Sequence, residues 1–220
     1  MRSILIDWLV EVHLKFKLVP ETLFLTVNLL DRYLSLVPVQ RSKLQLVGVT
    51  AMLLASKFEE IYAPEVRDFV YICDKAYTRE EILEMEGTIL SKLGFNLSVP
   101  QAHLYMSRFL KFGGVKRKEA ESLAYYFCEL TLQDYAFLKY APSVVASSAV
   151  YLALKHSTAP TNTWGPLMTA LTTYPEQALA HCVKEMEDAA KMAAQRSLTA
   201  VYKKYGSDKY HEVSKNIVWD

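Results

Sequence analysis

The sequence predicts an all-α protein, and three observations carry that expectation. Apolar residues recur at helical spacing along almost the whole chain, while the alternating pattern of a half-buried strand is scarce. Only 7 Gly and 8 Pro stand among 220 residues to interrupt elements. Hydrophobic residues make up 51% and charged residues 22%, close to the average for soluble globular chains. A chain of this length and composition can bury a sizeable core, so disorder is not expected.

The first helix carries Ile4, Leu5, Trp8, Leu9 and Val12 on one face, with Glu11 and Lys15 beside it. Pro20-Glu21-Thr22 opens the second, with Pro where a first helical residue is tolerated and an acid in the first turn, and this helix runs to about residue 36. A third helix, over about 41–58, is apolar on nearly all sides and rich in small residues: Gly48, Thr50, Ala51, Ala55 and Ser56. Such a helix belongs at the centre of a bundle, because small side chains let neighbours approach closely and no face is suited to water. Pro64-Glu65-Val66 starts a short fourth helix that ends near Cys73-Asp74. Thr78-Arg79-Glu80-Glu81 has capping-box spacing and starts a fifth, which Gly94 ends as a left-handed cap.

Residues 95–100 link this five-helix unit to a second of similar size, giving expected domains of 1–97 and 98–220. Ala51-Met52-Leu53-Leu54-Ala55-Ser56-Lys57 and Ala149-Val150-Tyr151-Leu152-Ala153-Leu154-Lys155 match at four of seven positions, 98 residues apart. That offset is too long for a solenoid repeat and suggests duplication of a whole domain. Helices are expected near 101–112, 116–135, 142–156, 164–172 and 175–190, with a further one near 194–205. The tail from Gly206 reads as polar and irregular, and Lys203, Lys204 and Lys209 read as solvated charges.

Several function classes find little support. Formal net charge is +1, so no overall basic field draws in phosphate backbone or an anionic membrane. The longest nearly apolar run, 44–55, is about a dozen residues where a spanning helix needs roughly twenty. No secretory signal or transit peptide is visible at Met1-Arg2-Ser3. Cys73, Cys128 and Cys182 lie far apart without metal-ligand spacing, and an odd number fits core thiols in a reducing, intracellular compartment. An enzyme is the first alternative, but GxGxxG, Walker, HExxH and GxSxG motifs are missing, and His13, His103, His156, His181 and His211 are widely spaced. The adjacent His181-Cys182 reads as a surface imidazole beside a core thiol. No catalytic residue, metal site or cofactor is therefore expected.

Two charges interrupt apolar stripes. Lys57 follows Leu53 at i+4 and Leu54 at i+3, and Glu86 lies between Ile82 and Leu90. A charge beside a dry surface costs several kcal/mol unless it is paired or hydrogen-bonded. Spacing alone leaves two readings open. Lys57 reaches water while Glu86 pairs with it or with another surface charge, or the two flank an apolar patch that a partner covers and hydrogen-bond that partner's backbone.

The residues then point to a family. Met1-Arg2-Ser3-Ile4-Leu5-Ile6-Asp7-Trp8-Leu9-Val10-Glu11-Val12 resembles the opening of a cyclin box, and Leu53-Leu54-Ala55-Ser56-Lys57-Phe58-Glu59-Glu60 resembles its third helix. Pro20-Glu21-Thr22, Leu30-Asp31-Arg32-Tyr33-Leu34, Lys43-Leu44-Gln45-Leu46-Val47-Gly48 and Met85-Glu86 follow in the same order. In the second unit, Leu138-Lys139-Tyr140-Ala141-Pro142-Ser143, Leu152-Ala153-Leu154-Lys155, Lys203-Lys204-Tyr205 and Lys209-Tyr210-His211 resemble the second fold of A- and B-type mitotic cyclins. The first unit leans to the B type and the tail to the A type.

This resemblance implies two tandem five-helix cyclin-box folds around small-residue-rich central helices. It also implies a non-catalytic regulatory subunit that activates a cyclin-dependent serine/threonine kinase at G2/M, in nucleus and cytoplasm. By the resemblance, Lys57 and Glu86 match the charged pair that contacts kinase backbone, and Leu54, Phe58, Leu90, Phe95 and Leu97 match the apolar contacts around it. A second carry-over is a docking groove for Arg-x-Leu substrates or inhibitors. Met1, Ile4, Leu5, Trp8, Leu44 and Ile72 match its floor, and Glu11, Gln45 and Asp74 match its polar rim. From spacing alone, Trp8 and Ile4 would be core. Arg2 and Asp31 match a structural ion pair. Gly87 departs from the family's pattern, in which many relatives carry a larger side chain. The helix before the first box and the segment with the degradation signal are expected to lie outside this chain. Transcription initiation factors with two cyclin-like repeats are the nucleic-acid alternative, which the near-neutral charge and the acidic Glu59-Glu60 oppose.

Overall fold

A computed structural model describes residues 1–113, 117–156 and 164–219. Among them the chain is all-α, with twelve α-helices, three short 3-10 segments and no strand. It divides into two compact units, Met1–Val99 and Pro100–Asp220.

The first unit holds α1 (Arg2–Phe16), α2 (Pro20–Leu36), α3 (Leu44–Glu59), α4 (Val66–Ile72) and α5 (Arg79–Lys92). The other four helices all pack on α3, whose residues 46–56 are buried without a break. Absence of bulk makes this possible. A Cβ on Gly48 would stand 2.9 Å from both terminal carbons of Leu5, so α1 rests directly against the α3 backbone there. The expected third helix from Arg41 is shorter at its start, because Arg41–Lys43 forms a 3-10 turn whose Ser42 carbonyl accepts the Tyr77 hydroxyl at 3.0 Å.

Local signals account for the helix ends. At α5, Thr78 Oγ1 accepts from Glu81 N at 3.2 Å and the Glu81 carboxylate accepts from Thr78 N at 3.0 Å, the reciprocal capping box. Gly94 adopts φ +59 just past its end. Pro20 sits at the first turn of α2, and the chain supplies that terminus with an acceptor from far away. Glu60 Oε1 accepts from Val19 N at 2.8 Å and from Thr22 Oγ1 at 2.5 Å.

The second unit holds α6 (Ala102–Phe112), α7 (Lys118–Gln133), α8 (Pro142–Lys155), α9 (Pro166–Thr172), α10 (Glu176–Met192), α11 (Ala200–Tyr205) and α12 (Val213–Asn216). Helix α8 plays the part of α3: Ala146, Ser147, Ser148, Ala149 and Ala153 are buried, and α6, α7 and α10 close on it. The expected start of the second helix here, Lys116, lies outside the described residues. Its expected end shortens too, because Asp134 leaves the helix and caps a 3-10 segment, Tyr135–Lys139, by accepting from Ala136 N at 3.0 Å.

Three expectations for the last forty residues need correction. Only Ala200–Tyr205 of the expected 194–205 helix is helical. The chain turns after α10, where Gln195 N and Arg196 N both return to Met192 O and Arg196 reaches Asp134 at 3.4 Å. The tail is not irregular, since Asp208–Tyr210 is a 3-10 turn and α12 packs on α7. Nor is Lys204 a solvated charge. It is fully buried, with Nζ 2.7 and 2.8 Å from the two carboxylate oxygens of Glu129 on α7, while the Tyr205 hydroxyl donates to the same carboxylate at 2.7 Å. The Lys204 ammonium also lies over the rings of Tyr205 and Tyr210. Burying the pair is tolerable because each charge is neutralised and several of its hydrogen bonds are met.

Removing one member of such a pair strands the other. Lys204→Met is expected to destabilise the second unit by roughly 3–5 kcal/mol in chemical denaturation, and adding Glu129→Leu to recover part of that loss. A double variant no more stable than the single one would show that the charges are not coupled.

Candidate functional site

The residues singled out by the sequence fall on two exposed regions of the first unit. The first lies where the last turn of α3 meets α5 and extends to the C-terminal end of α5. Lys57 stands in the last turn of α3 and Glu86 in the middle of α5, and they meet: Lys57 Nζ is 2.8 and 2.9 Å from the two carboxylate oxygens. The lysine side chain is 47% exposed and the glutamate 14%. Glu86 is thus largely desolvated with Lys57 as its counter-ion, and the ammonium remains at the surface.

The apolar residues named with this pair divide. Phe58 and Phe95 are exposed, Leu90 and Leu97 are half-buried, and Leu54 is only 4% exposed. Leu54 therefore forms the floor under the patch rather than its contact surface, because its position on α3 points it into the core with Leu53. Phe95 owes its exposure to backbone. It adopts φ +57 immediately after Gly94, and its N–H returns to Leu90 O at 2.9 Å, so the chain folds back over the end of α5. Arg32 pins the following strip by donating to Asn96 O at 2.9 Å.

Two residues escaped the sequence reading. Ile61 and Tyr62, directly after α3, are more than nine-tenths exposed, and with Phe58 they extend the apolar surface past the helix end. The signal was available as two large apolar residues in a loop between Glu60 and Pro64. Beside them, partial burial, then the charges of Glu21 and Glu60, push the Glu59 carboxyl up from its ordinary range. A cation brought by a partner would relieve that crowding.

The second region lies on α1, the start of α3 and the end of α4. Met1 and Ile4 are exposed and Trp8 is half-buried, so these residues form an outward stripe rather than the core that spacing alone suggested, while Leu5 turns inward against Gly48. Leu44, Gln45 and Ile72 are half-buried, and Glu11 and Asp74 are exposed. Asp74 and Lys75 both take positive φ, and Lys75 N closes on Val70 O at 3.1 Å, which turns the chain sharply at the end of α4. Helix α1 is held in place by Arg2, whose guanidinium makes a two-pronged contact with Asp31 at 2.6 and 2.7 Å, and by Phe16 edge-on to Phe69 of α4 at 5.2 Å between centroids.

Among the described residues no group of three or more His, Cys, Asp or Glu is placed to hold a metal ion. All three cysteines are buried free thiols. Burial pushes Cys73 and Cys182 up to about 11 and Cys128 well above the ordinary thiol range, so none is a ready nucleophile. His181 is exposed beside buried Cys182. No helix among the described residues is long and apolar enough to cross a membrane.

Similarity to known proteins covers both units. The family described as "Cyclin, N-terminal domain" matches residues 1–98, and "Cyclin, C-terminal domain" matches residues 100–217. Cyclin-B1-5 of Oryza sativa subsp. japonica is 46% identical over 217 residues, 97% of this chain and 47% of that protein. The G2/mitotic-specific cyclin-B of Marthasterias glacialis is 48% identical over 97% of this chain and 55% of its own length. Cyclin-A2-1 of Oryza sativa subsp. japonica is 45% identical, again over 97% of this chain and 44% of the relative. The chain thus spans about half the length of the curated relatives it matches. A viral cyclin from herpesvirus saimiri shares the fold at a TM-score of 0.79 with 18% identity, over 91% of this chain and 86% of that one.

Gly87, next to Glu86, supplies a test of α5. A Cβ there would meet nothing within 4 Å. Gly87→Ala is therefore expected to raise stability by about 0.5–1 kcal/mol through helix propensity alone, measured by denaturation of the free chain. Loss of stability would mean that the helix needs a glycine at this point.

Proposed function

The chain belongs to the cyclin family, and from that premise we propose that it is a non-catalytic regulatory subunit that binds and activates a cyclin-dependent serine/threonine kinase at the G2/M transition. The relatives it resembles at 45–48% identity include a G2/mitotic-specific cyclin-B, a cyclin-B1-5 and a cyclin-A2-1. The observation that carries the proposal is the surface at the ends of α3 and α5. An ion pair half open to water joins α3 to α5, and Phe58, Ile61 and Tyr62 at the end of α3 and Phe95 just past α5 are exposed.

In this reading the exposed apolar residues supply the area and the charged pair supplies the register. Lys57 holds three donors at one edge, and Glu86 holds acceptors at the other. In the free chain they neutralise each other. Against a partner helix each is able to exchange that bond for a backbone carbonyl or amide, so no charge is left unpaired on binding. A kinase transfers phosphate efficiently only when its strand lysine is paired with a glutamate on its mobile helix. A subunit that binds the competent placement of that helix better than the incompetent one shifts the population and needs no chemistry of its own.

The α1 surface fits the second part of the proposal, docking of Arg-x-Leu segments of substrates or inhibitors. Met1, Ile4 and Trp8 offer an apolar slot for a leucine, and exposed Glu11 and Asp74 offer carboxylates for an arginine. The three cysteines, all reduced and buried, suit an intracellular setting in nucleus and cytoplasm.

Adding the chain to a monomeric cyclin-dependent kinase is expected to stimulate histone phosphorylation, and Lys57→Ala with Glu86→Ala to weaken both stimulation and binding by tenfold or more, about 1.4 kcal/mol. No stimulation by the unmodified chain would sink the proposal. Trp8→Ala is expected to raise KM for Arg-x-Leu substrates severalfold while kinase binding and phosphorylation of substrates without that motif stay unchanged. Equal loss of both would place Trp8 in the core.

A further inference from the structure

The second unit repeats the charged frame of the first. Lys57 of α3 corresponds to Lys155 of α8 through the matching heptapeptides, and Glu84-Met85-Glu86 of α5 recurs as Glu185-Met186-Glu187 of α10. These residues meet again. Lys155 Nζ is 3.5 Å from Glu187, with side chains 37% and 17% exposed, close to the 47% and 14% of the first pair. Lys191, one turn further along α10, adds a second contact to Glu187 at 3.0 Å.

What surrounds the frame differs. Phe58 and Leu90, counted from the two charges, correspond to His156 and Lys191. In the first unit Phe58 is open to solvent. In the second the equivalent place is covered by the chain's own residues 217–219. The Trp219 ring stands edge-on to His156 at 5.1 Å and to buried Phe127 at 6.5 Å, and Lys191 Nζ lies 5.4 Å from its centroid. His156 Nδ1 lies 3.1 Å from Val218 O, so the imidazole donates to the backbone of the segment whose next side chain it stacks on. An aromatic ring seated against other rings and a cation, with a polar group fixing the adjacent backbone, is one way an extended peptide is held on a protein surface.

We propose that the second unit carries a second docking surface, built on the Lys155–Glu187 frame, and that residues 217–219 occupy it in cis through Trp219. It opens only to a protein segment that brings its own tryptophan after an aliphatic residue. The proposal rests on reading the Lys57–Glu86 face as a docking surface, and it explains why two copies of one frame would leave a single open site for a kinase. The seat is closed by proximity rather than by strength. A tethered segment acts at an effective concentration on the order of millimolar, which a free competitor must exceed.

The probe is the peptide acetyl-Ile-Val-Trp-amide, titrated into the full chain while the ring resonances of His156 and Phe127 are followed by NMR. Trp219→Ala is expected to show saturable shifts at concentrations roughly tenfold or more below those needed with the unmodified chain, and Trp219→Phe to fall between. Equal shifts in all three chains, or none in any, would overturn the proposal. So would loss of helicity in Trp219→Ala, because Trp219 would then be core. Kinase stimulation by Trp219→Ala is expected to equal that of the unmodified chain. Failure of the unmodified chain to stimulate would count against the first-unit reading alone, since the peptide titration needs no kinase.

Discussion

How closely helices can approach two central rods governs this structure. Along α3 and α8 small residues (Gly48, Thr50, Ala51, Ala55 and Ser56 in one, Ala146, Ser147, Ser148, Ala149 and Ala153 in the other) are buried among larger apolar ones, and the neighbouring helices approach closely where the side chains are small. At Gly48 the clearance is smaller than one methyl group, and Leu5 of α1 fills it. The apolar stripe of α1 is thereby divided, with Leu5 pressed inward while Ile4 and Trp8, at i−1 and i+3 and so on one flank of it, stay exposed and half-buried. A bulkier central helix would move α1 outward and dissolve that division. The surfaces at the rim of each unit thus depend on the lack of side chain at its centre.

Dense cores of this kind leave little room for polar groups, and the chain meets the difficulty by pairing them. Arg2 with Asp31, Glu60 with the start of α2, and Glu129 with Lys204 and Tyr205 each join segments distant in sequence. A buried ion pair is weak evidence for stability, since an apolar pair of the same shape often serves as well. Its geometry is less replaceable. The Glu129 carboxylate accepts three bonds from two consecutive residues of α11, which fixes α11 against α7.

The two units share a charged frame and differ in what surrounds it. Both keep a lysine at the end of the central helix facing a glutamate on the fifth, at similar exposure. In one unit the flanking positions are Phe and Leu, which favour a partner that removes them from water. In the other they are His and Lys, which tolerate water and also accept an aromatic ring from nearby. A shared frame can therefore serve an open surface or a self-covered one, depending on two side chains and on which segment of the chain runs past.

Most helices and their ends were legible because their causes are local. Periodicity marks the buried faces, Thr78 and Glu81 lie three residues apart, Gly94 stands just past its helix, and the small residues of α3 and α8 are concentrated within each helix. Cyclin motifs were legible for the same reason, being contiguous strings. Spacing offered the pairing of Lys57 with Glu86 as one of two readings but could not select it, since they are 29 residues apart. It misjudged Lys204, whose partner Glu129 is 75 residues away, and took a structured tail for an irregular one because α12 is held by packing on α7 rather than by propensity. Leu54, matched by the resemblance to a contact surface, is floor, and Trp8, which spacing alone made core, is half-buried at the surface. Which side of a stripe faces solvent is settled by the neighbours that close on it, and no local pattern of residues contains them.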